Sequence, residues 1–510
     1  MSFDHVVVGG GSAGVALAAR LTEDPARQVL LLEAGDTGPL DSDADLLSNI
    51  NFALTARDWG MHAQVTRERR LEYPQGKFLG GGSSVNGGLA FRGSPDDYDG
   101  WAAAGNPSWS WEHMLRRFRN LEHDLDYGDD GAIHGAHGPI PIVRWHPDEL
   151  LPVQQAFAAA AAGAGLPWVD DHNAPDSTGI GPLPMNRDAG RRMSTALTYY
   201  VEARDRPNLT VWSRAQAHQV IIDSGRATGV LFERGDTLDT VEAGEVIVST
   251  GAIHTPSLLM RSGIGPADNL RALGIECTVD NSAVGAGLTD HPGLFLFLAP
   301  GRHVPDTDAT QFQLGARCSS ASGGVENDLL VSMMNFWDLS TSPDFQSFLG
   351  VPMVVVLTCG VHEPRSRGRV RLTSADPREQ PGIEFNLLDE RADLDRLVEG
   401  LQLTRAMAAS GDMADFIDRT LVLSNADFDN PAALEQYARN FVAPWYHACG
   451  TCRMGPSSDA TAVVDDQLRV HGIDGLRVAD ASVFRTIPRA PTNLSAIAVA
   501  EGAAEMIRAR

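Results

Sequence analysis

Apolar and polar positions along this chain fall into strand-like and helix-like stretches, and the changes between them predict its elements. Phe3–Val8 is a short apolar run that reads as a buried strand. A glycine-rich turn follows, and Ser12–Leu21 continues as an amphipathic helix. Gln28–Leu32 reads as a second strand that ends at Glu33. The pattern returns late in the chain. Glu245–Ser249 predicts a strand, Gly251 turns the backbone, Thr255 and Pro256 stand near the start of a helix, and Gly263 stops it. Arg369–Leu372 and Gly382–Phe385 predict strands. Ala392–Ala409 predicts an amphipathic helix with Leu394, Leu397, Leu401 and Thr404 on one face. A short strand, Leu476–Ala479, leads to Asp480, and a helix, Leu494–Arg508, follows Asn493. The Gly- and Pro-bearing stretches 128–147 and 301–326 predict long surface loops.

A chain of 510 residues is too long for one simple core, so two domains are expected. At 43% hydrophobic and 21% charged, its composition is that of an ordinary globular protein. The net charge of −25 argues against nucleic acid as a partner, because a phosphate backbone needs a basic surface. Neutral or cationic small substrates remain compatible with it. Five scattered cysteines, at 277, 318, 359, 449 and 452, argue against a disulfide framework. Residues 1–8 enter the first strand directly, leaving no room for a signal peptide. No apolar run approaches the roughly 20 residues that span a bilayer. The expectation is a soluble, cytoplasmic protein with no membrane span.

Candidate chemistry begins in FDHVVVGGGSAG, Phe3–Gly14. Gly9, Gly11 and Gly14 give the G-x-G-x-x-G spacing between a strand and a helix. The first glycine permits the tight turn, the second lets backbone approach a pyrophosphate, and the third lets helix pack on strand. Ser12 and Ala13 open the helix, whose free N–H groups and partial positive charge suit phosphates. Glu33, 19 residues after Gly14 and followed by Ala34, is placed to bind a ribose diol. An anion there disfavours a 2′-phosphate, so FAD or NAD fits better than NADP; the motif does not separate those two. A second loop, GKFLGGGSSVN at Gly76–Asn86, brings Gly80, Gly81, Ser84, Asn86 and the adjoining Gly87 into reach of a flat or anionic ligand, unless it is a flexible surface turn. It also holds Lys77, the chain's one lysine, for which compositional drift and a ligand contact are both open readings. GAIHTPSLLMRSGIG at Gly251–Gly265 is a further strand-to-helix turn, either cofactor-facing or scaffold. WYHACGTCRMG at Trp445–Gly455 and RVADASVFRTIPRAPTN at Arg477–Asn493 set His447 and Asn493 46 residues apart.

Together these segments, with Arg206–Leu209 and the run VGAGLTDHP at Val284–Pro292, resemble the glucose–methanol–choline (GMC) oxidoreductase family in family order along essentially the whole chain. The resemblance implies an α/β fold: a Rossmann-like FAD-binding domain formed by about 1–155, 208–295 and 444–510. It also implies a discontinuous α+β substrate domain, floored by a sheet, formed by 156–207 and 296–443. It implies FAD rather than NAD, with Gly9, Gly11, Ser12, Ala13, Gly14, Glu33 and Ala34 at the ADP part. Gly80–Asn86 would line the isoalloxazine and its linker, Asp480 and Ala481 would contact the ribityl–pyrophosphate region, and Ala217 is a further expected cofactor contact. Gly82–Asn86 lacks the histidine that carries covalent flavin in some relatives, so non-covalent FAD is expected.

The implied reaction is alcohol oxidation, in which a hydroxyl proton and a hydride leave the substrate. His447 matches the family's active-site histidine and is the candidate base, since a neutral imidazole titrates near working pH. Asn493 falls where the family carries histidine or asparagine, and an amide there orients the hydroxyl without acting as a base. A lyase or isomerase using FAD without net redox turnover is the alternative. Cys449 and Cys452 form C-x-x-C without a second ligand pair, and His134 and His137 lack ligand company at fixed spacing, so no metal is expected. Trp445, Tyr446, Met333, Phe336 and Trp337 are candidate pocket walls, which would suit aryl or furfuryl alcohols. The acidic balance would suit an amino-sugar alcohol. O2 or another carrier would reoxidise the flavin.

Overall fold

The computed structural model describes residues 2–40, 42, 57–129, 131–303, 309–340 and 342–509. Two seven-stranded sheets dominate it. In the first, Leu209–Trp212, Val29–Leu32, Ser2–Val8 and the C-terminal half of Thr237–Val248 lie side by side and parallel. Leu476–Val478 adds a further parallel partner on Val246–Val248. Val6, Val7, Val8 and Leu30–Leu32 are all buried, as expected of parallel strands covered on both faces. The N-terminal half of Thr237–Val248 leaves this layer as an antiparallel meander with Arg226–Arg234 and Ala215–Asp223. The helix Ser12–Leu21 packs beside the C-terminal helix Thr492–Arg508, where Arg20 holds Glu501 through two hydrogen bonds of 2.8 and 3.0 Å. Both helices form where the apolar spacing predicts them.

The second sheet is antiparallel, in the order Ile417–Thr420, Pro292–Pro300, Met353–Val361, Leu329–Asp338, Leu314–Cys318, Gly179–Pro182. Ala443–Pro444 pairs with Pro292 and Gly293 at its edge. Because side chains alternate along a strand, its two faces have separate duties. Leu294, Leu296, Leu298, Val355, Leu357, Cys359, Val331 and Met333 join the core that contains Leu394, Leu397 and Leu401 of the helix Arg391–Ala408. The other face carries Gly293, Phe295, Leu330, Ser332, Thr358 and Gly360, brought level by the pairings Gly293 with Gly360, Phe295 with Thr358, and Ser332 with Thr358. The boundary between the segments 208–295 and 296–443 falls within Pro292–Pro300, so this sheet draws on both.

Three expectations need correction. The stretch 301–326 is not one surface loop, since Leu314–Cys318 is a wholly buried strand inside the second sheet; residues 304–308 lie outside the described ones. In 128–147, Ile140–Ile142 pairs parallel with Glu122–Asp124 and buries both isoleucines. Glycine and proline mark turns locally, but they cannot show which neighbouring residues find a long-range strand partner. Met333 belongs to the core on the helix side, and Phe336 is buried as well.

Candidate active site

At the nucleotide end, Gly11 precedes the helix Ser12–Leu21 with no side-chain cap and no acid in the first turn. A Cβ on Gly11 would meet nothing within 4 Å, so open space lies before those N–H groups. Gly9 has φ +102°, and a Cβ on Gly14 would lie 1.9 Å from the Gly9 carbonyl, so the turn and the helix start fit only as glycine. Ala13 is buried in the helix and Ala34 half-buried beside Glu33. Glu33 is buried, and its two oxygens accept the N–H of Gly10 at 2.8 Å and of Gly35 at 2.6 Å. Burial pushes its carboxyl up, against the pull of those two donors and of Lys77.

The second glycine loop closes on the first. Gly80 donates its N–H to the Gly10 carbonyl at 2.7 Å, and Ser83 N–H donates to Ser12 Oγ at 3.2 Å. Gly81–Ser84 is a single tight helical turn with Gly81, Ser83 and Ser84 buried, which disposes of the flexible-turn reading. Asn86 Oδ1 accepts the Gly88 N–H at 3.0 Å and so shapes the backbone through half-buried Gly87. Asp480 accepts from Gly251 N–H at 2.8 Å, Thr255 Oγ1 at 2.6 Å and Ser482 N–H at 2.7 Å, which fastens the third strand-to-helix turn to the same end of the sheet. The Ala481 carbonyl accepts the Gly450 N–H at 3.1 Å. Ala217 stands two residues past Ala215, whose N–H donates to the Glu33 carbonyl at 2.8 Å. An uncapped helix N-terminus facing open space, a buried acid and a glycine cradle form a donor set that suits a dinucleotide.

The reaction end is assembled around Asp290, a fully buried carboxyl. It accepts the N–H of His447 at 3.0 Å, the N–H of Trp445 at 3.2 Å and the hydroxyl of Tyr73 at 2.7 Å. Burial pushes Asp290 up to about 7, and these bonds oppose that rise. The segment it gathers is tightly bent: Tyr446 has φ +64°, a conformation that costs a bulky residue of order 1 kcal/mol or more. The Trp445 indole lies over the cross-strand pair Gly293 and Gly360. A Cβ there would come within 1.8 and 2.5 Å of the ring, so only glycine leaves the slot open.

His447 is half-buried, and burial pushes its imidazole down to about 3, so it stands neutral. Its Nδ1 lies 2.9 Å from Nδ1 of His291. His291 is buried, stacks on His362 with ring centres 4.2 Å apart and planes 5° from parallel, and reaches the Pro488 carbonyl through Nε2 at 3.1 Å. Asn493 is the second residue of the helix Thr492–Arg508, five residues beyond Pro488, so His447 is joined to the Asn493 segment through His291. Asp290 and His291 lie in the run Val284–Pro292, where an acid and a histidine directly ahead of an apolar strand were the available signal. Tyr73 and His362 left none.

The remaining sequence candidates are structural. Cys449 and Cys452 are buried free thiols, and burial pushes both well up, so neither is a reactive thiolate. Glu122, Asp124 and His134 do come together, but Arg92 pairs with Glu122, and Arg144 bridges Asp124 at 2.9 Å and Asp171 at 2.6 Å. Burial opposes charge on His134, yet hydrogen bonds with Asp124, Asp171 and Glu122 raise it to about 10. A protonated imidazole has no lone pair for a metal. His137 is exposed.

Among the described residues no helix is long and apolar enough to cross a membrane. Family models described as GMC oxidoreductase match residues 3–293 and 364–500. The chain is 37% identical over 535 aligned positions to 5-(hydroxymethyl)furfural oxidase of Methylovorus sp., covering 99% of this chain and 98% of that protein. It is 32% identical to an alcohol dehydrogenase [acceptor] of Pseudomonas putida, with 99% and 95% covered. The crystal structure of pyridoxine 4-oxidase from Mesorbium loti superposes with a TM-score of 0.90 at 29% identity, over 100% of this chain and 99% of that one.

Proposed function

The chain belongs to the GMC oxidoreductase family, an FAD-dependent alcohol-oxidising flavoprotein with non-covalent cofactor, and from that premise we propose that it oxidises an aryl or furfuryl primary alcohol to the aldehyde, with His447 as base and Asn493 as orienting amide. The observation that carries this reading is the half-buried imidazole of His447, joined through His291 and His362 to the half-buried Trp445 indole, which lies over Gly293 and Gly360 of the second sheet. An aromatic wall next to a proton acceptor suits a flat apolar alcohol. The relative from Methylovorus sp. is named for a furfuryl substrate, which supports the same choice. FAD, when bound, supplies the hydride acceptor. Gly9, Gly11, Ser12, Gly14 and Glu33 would hold its ADP part; Gly80, Gly81, Ser84, Asn86, Gly87, Asp480 and Ala481 would frame the rest. His447 takes the hydroxyl proton, Asn493 holds the hydroxyl oxygen, and Asp290 fixes the backbone of the base.

The test is anaerobic mixing of the yellow holoenzyme with 5-(hydroxymethyl)furfural, benzyl alcohol, choline and an amino-sugar alcohol. The aryl and furfuryl alcohols should bleach the flavin fastest, and admission of air then shows whether O2 restores the colour. Faster bleaching by choline or the amino sugar overturns the substrate class. Flavin that stays with the acid-denatured chain overturns non-covalent binding.

A further inference from the structure

We propose that His291 is a positioning residue that fixes the tautomer of His447, holding the proton on Nδ1 and leaving the lone pair at Nε2 for the substrate hydroxyl. The inference rests on the reading of His447 as base.

One line of hydrogen bonds links the Pro488 carbonyl, His291 and His447. The Pro488 carbonyl can only accept, so His291 Nε2, at 3.1 Å, must carry a proton. His291 is buried and stacked on a second buried imidazole, His362, and among the described residues no carboxylate accepts from its ring, so it is neutral. A neutral imidazole protonated at Nε2 offers only a lone pair at Nδ1. The His447 Nδ1 that approaches it to 2.9 Å must therefore be the donor. His447 is then the Nδ1–H tautomer, and its basic nitrogen is Nε2. The opposite tautomer would set two lone pairs against each other across 2.9 Å.

Anaerobic reduction of bound FAD by 5-(hydroxymethyl)furfural tests this in wild type, His291→Phe, His291→Asn, His447→Ala and the His291→Phe/His447→Ala double variant. His291→Phe keeps a flat ring against His362 but removes the acceptor; it should slow reduction by about 10- to 100-fold, less than loss of the base itself. His291→Asn returns an acceptor oxygen near the Nδ1 position and should recover most of the rate. In the His447→Ala background His291→Phe should have no further effect, since it acts only through His447. Equal slowing by Phe and Asn, or slowing that multiplies in the double variant, means a merely structural role and overturns the proposal. A wild-type rate in His291→Phe overturns it too. A wild-type rate in His447→Ala would instead reject the base assignment. Histidine 15N spectra of the holoenzyme, assigned by difference with His447→Ala, give a readout that survives if the Phe variant fails to bind FAD. A protonated Nδ1 and a bare Nε2 on His447 are expected, and a proton on Nε2 overturns the proposal.

Discussion

At the reaction end three imidazoles, His291, His362 and His447, meet ring to ring, and burial pushes His362 and His447 down to about 3. Elsewhere His134, buried as His291 and His362 are, sits among Asp124, Asp171 and Glu122 and is raised to about 10. Burial acts in the same direction at both places. The partner decides the outcome: imidazoles and a backbone carbonyl at one site, carboxylates at the other. One arrangement keeps a lone pair free for chemistry, and the other makes a fixed cation inside an ion network with Arg92 and Arg144. The carboxyls differ in the same way, because Asp290 serves backbone N–H groups and a phenol, while Asp124 and Asp171 add cations to the backbone N–H groups they accept.

The strongest way to break this contrast is to remove each histidine's role in turn. His447→Ala should lower the rate of flavin reduction about 10²–10⁴-fold with FAD still bound, and the deficit should shrink at high pH, where more alcohol ionises unaided. A rate near wild type at pH 7 would leave His447 no different from a structural histidine. Asp124→Ala should cost stability instead of rate. It removes one of the two carboxylates that hold Arg144 and His134, leaving Asp171 to both, and urea denaturation of the holoenzyme should show a loss of about 1.5–3 kcal/mol.

Glu33 sharpens the comparison at a third site, since it too is a buried titratable group, but one held by backbone donors. Glu33→Ala should weaken FAD binding about ten- to a hundred-fold, as expected for a charge-assisted acceptor. Fluorescence titration of the apoprotein reads it, and unchanged affinity would remove Glu33 from the nucleotide site. The smallest effect is a slope. His134 is raised above its ordinary 6.5, so its contribution is complete below about 6.5 and disappears as pH climbs through about 10. Wild-type stability should therefore fall across that window by at most about 1.4 kcal/mol per pH unit from this group. His134→Gln should flatten that part of the profile; an unchanged profile would mean that His134 is not protonated in the fold.

The glycine-turn end was legible because the nucleotide contacts proposed for it are made by backbone. A glycine turn, a helix start and one acid need only local spacing, and Gly9–Gly14 with Glu33 keeps all of it within 25 residues of chain. The reaction end was half-legible. His447 and Asn493 emerged through the family resemblance, whereas Tyr73, the pair Asp290 and His291, and His362 come from three separate segments brought together only by the fold. The His134 network shows the same limit, since a reading of 128–147 as a loop sees neither Arg92 nor Asp171. Strand parity decides the pocket walls: the candidate Met333 falls on the helix face, while Phe295, on the other face, was not a candidate because its pairing with Thr358 cannot be read from its own neighbours.

The strand order of the first sheet has a consequence in time. Ser2–Val8 is made early, yet it needs Thr237–Val248 on one side, and the row is complete only with Leu476–Val478. At about 5–20 residues per second, the opening strand waits roughly 12–50 s of synthesis for its inner partner. During that wait an apolar β-branched segment has Val29–Leu32 on one side and no final neighbour on the other, an exposed edge that a protein built from hairpins of adjacent strands avoids.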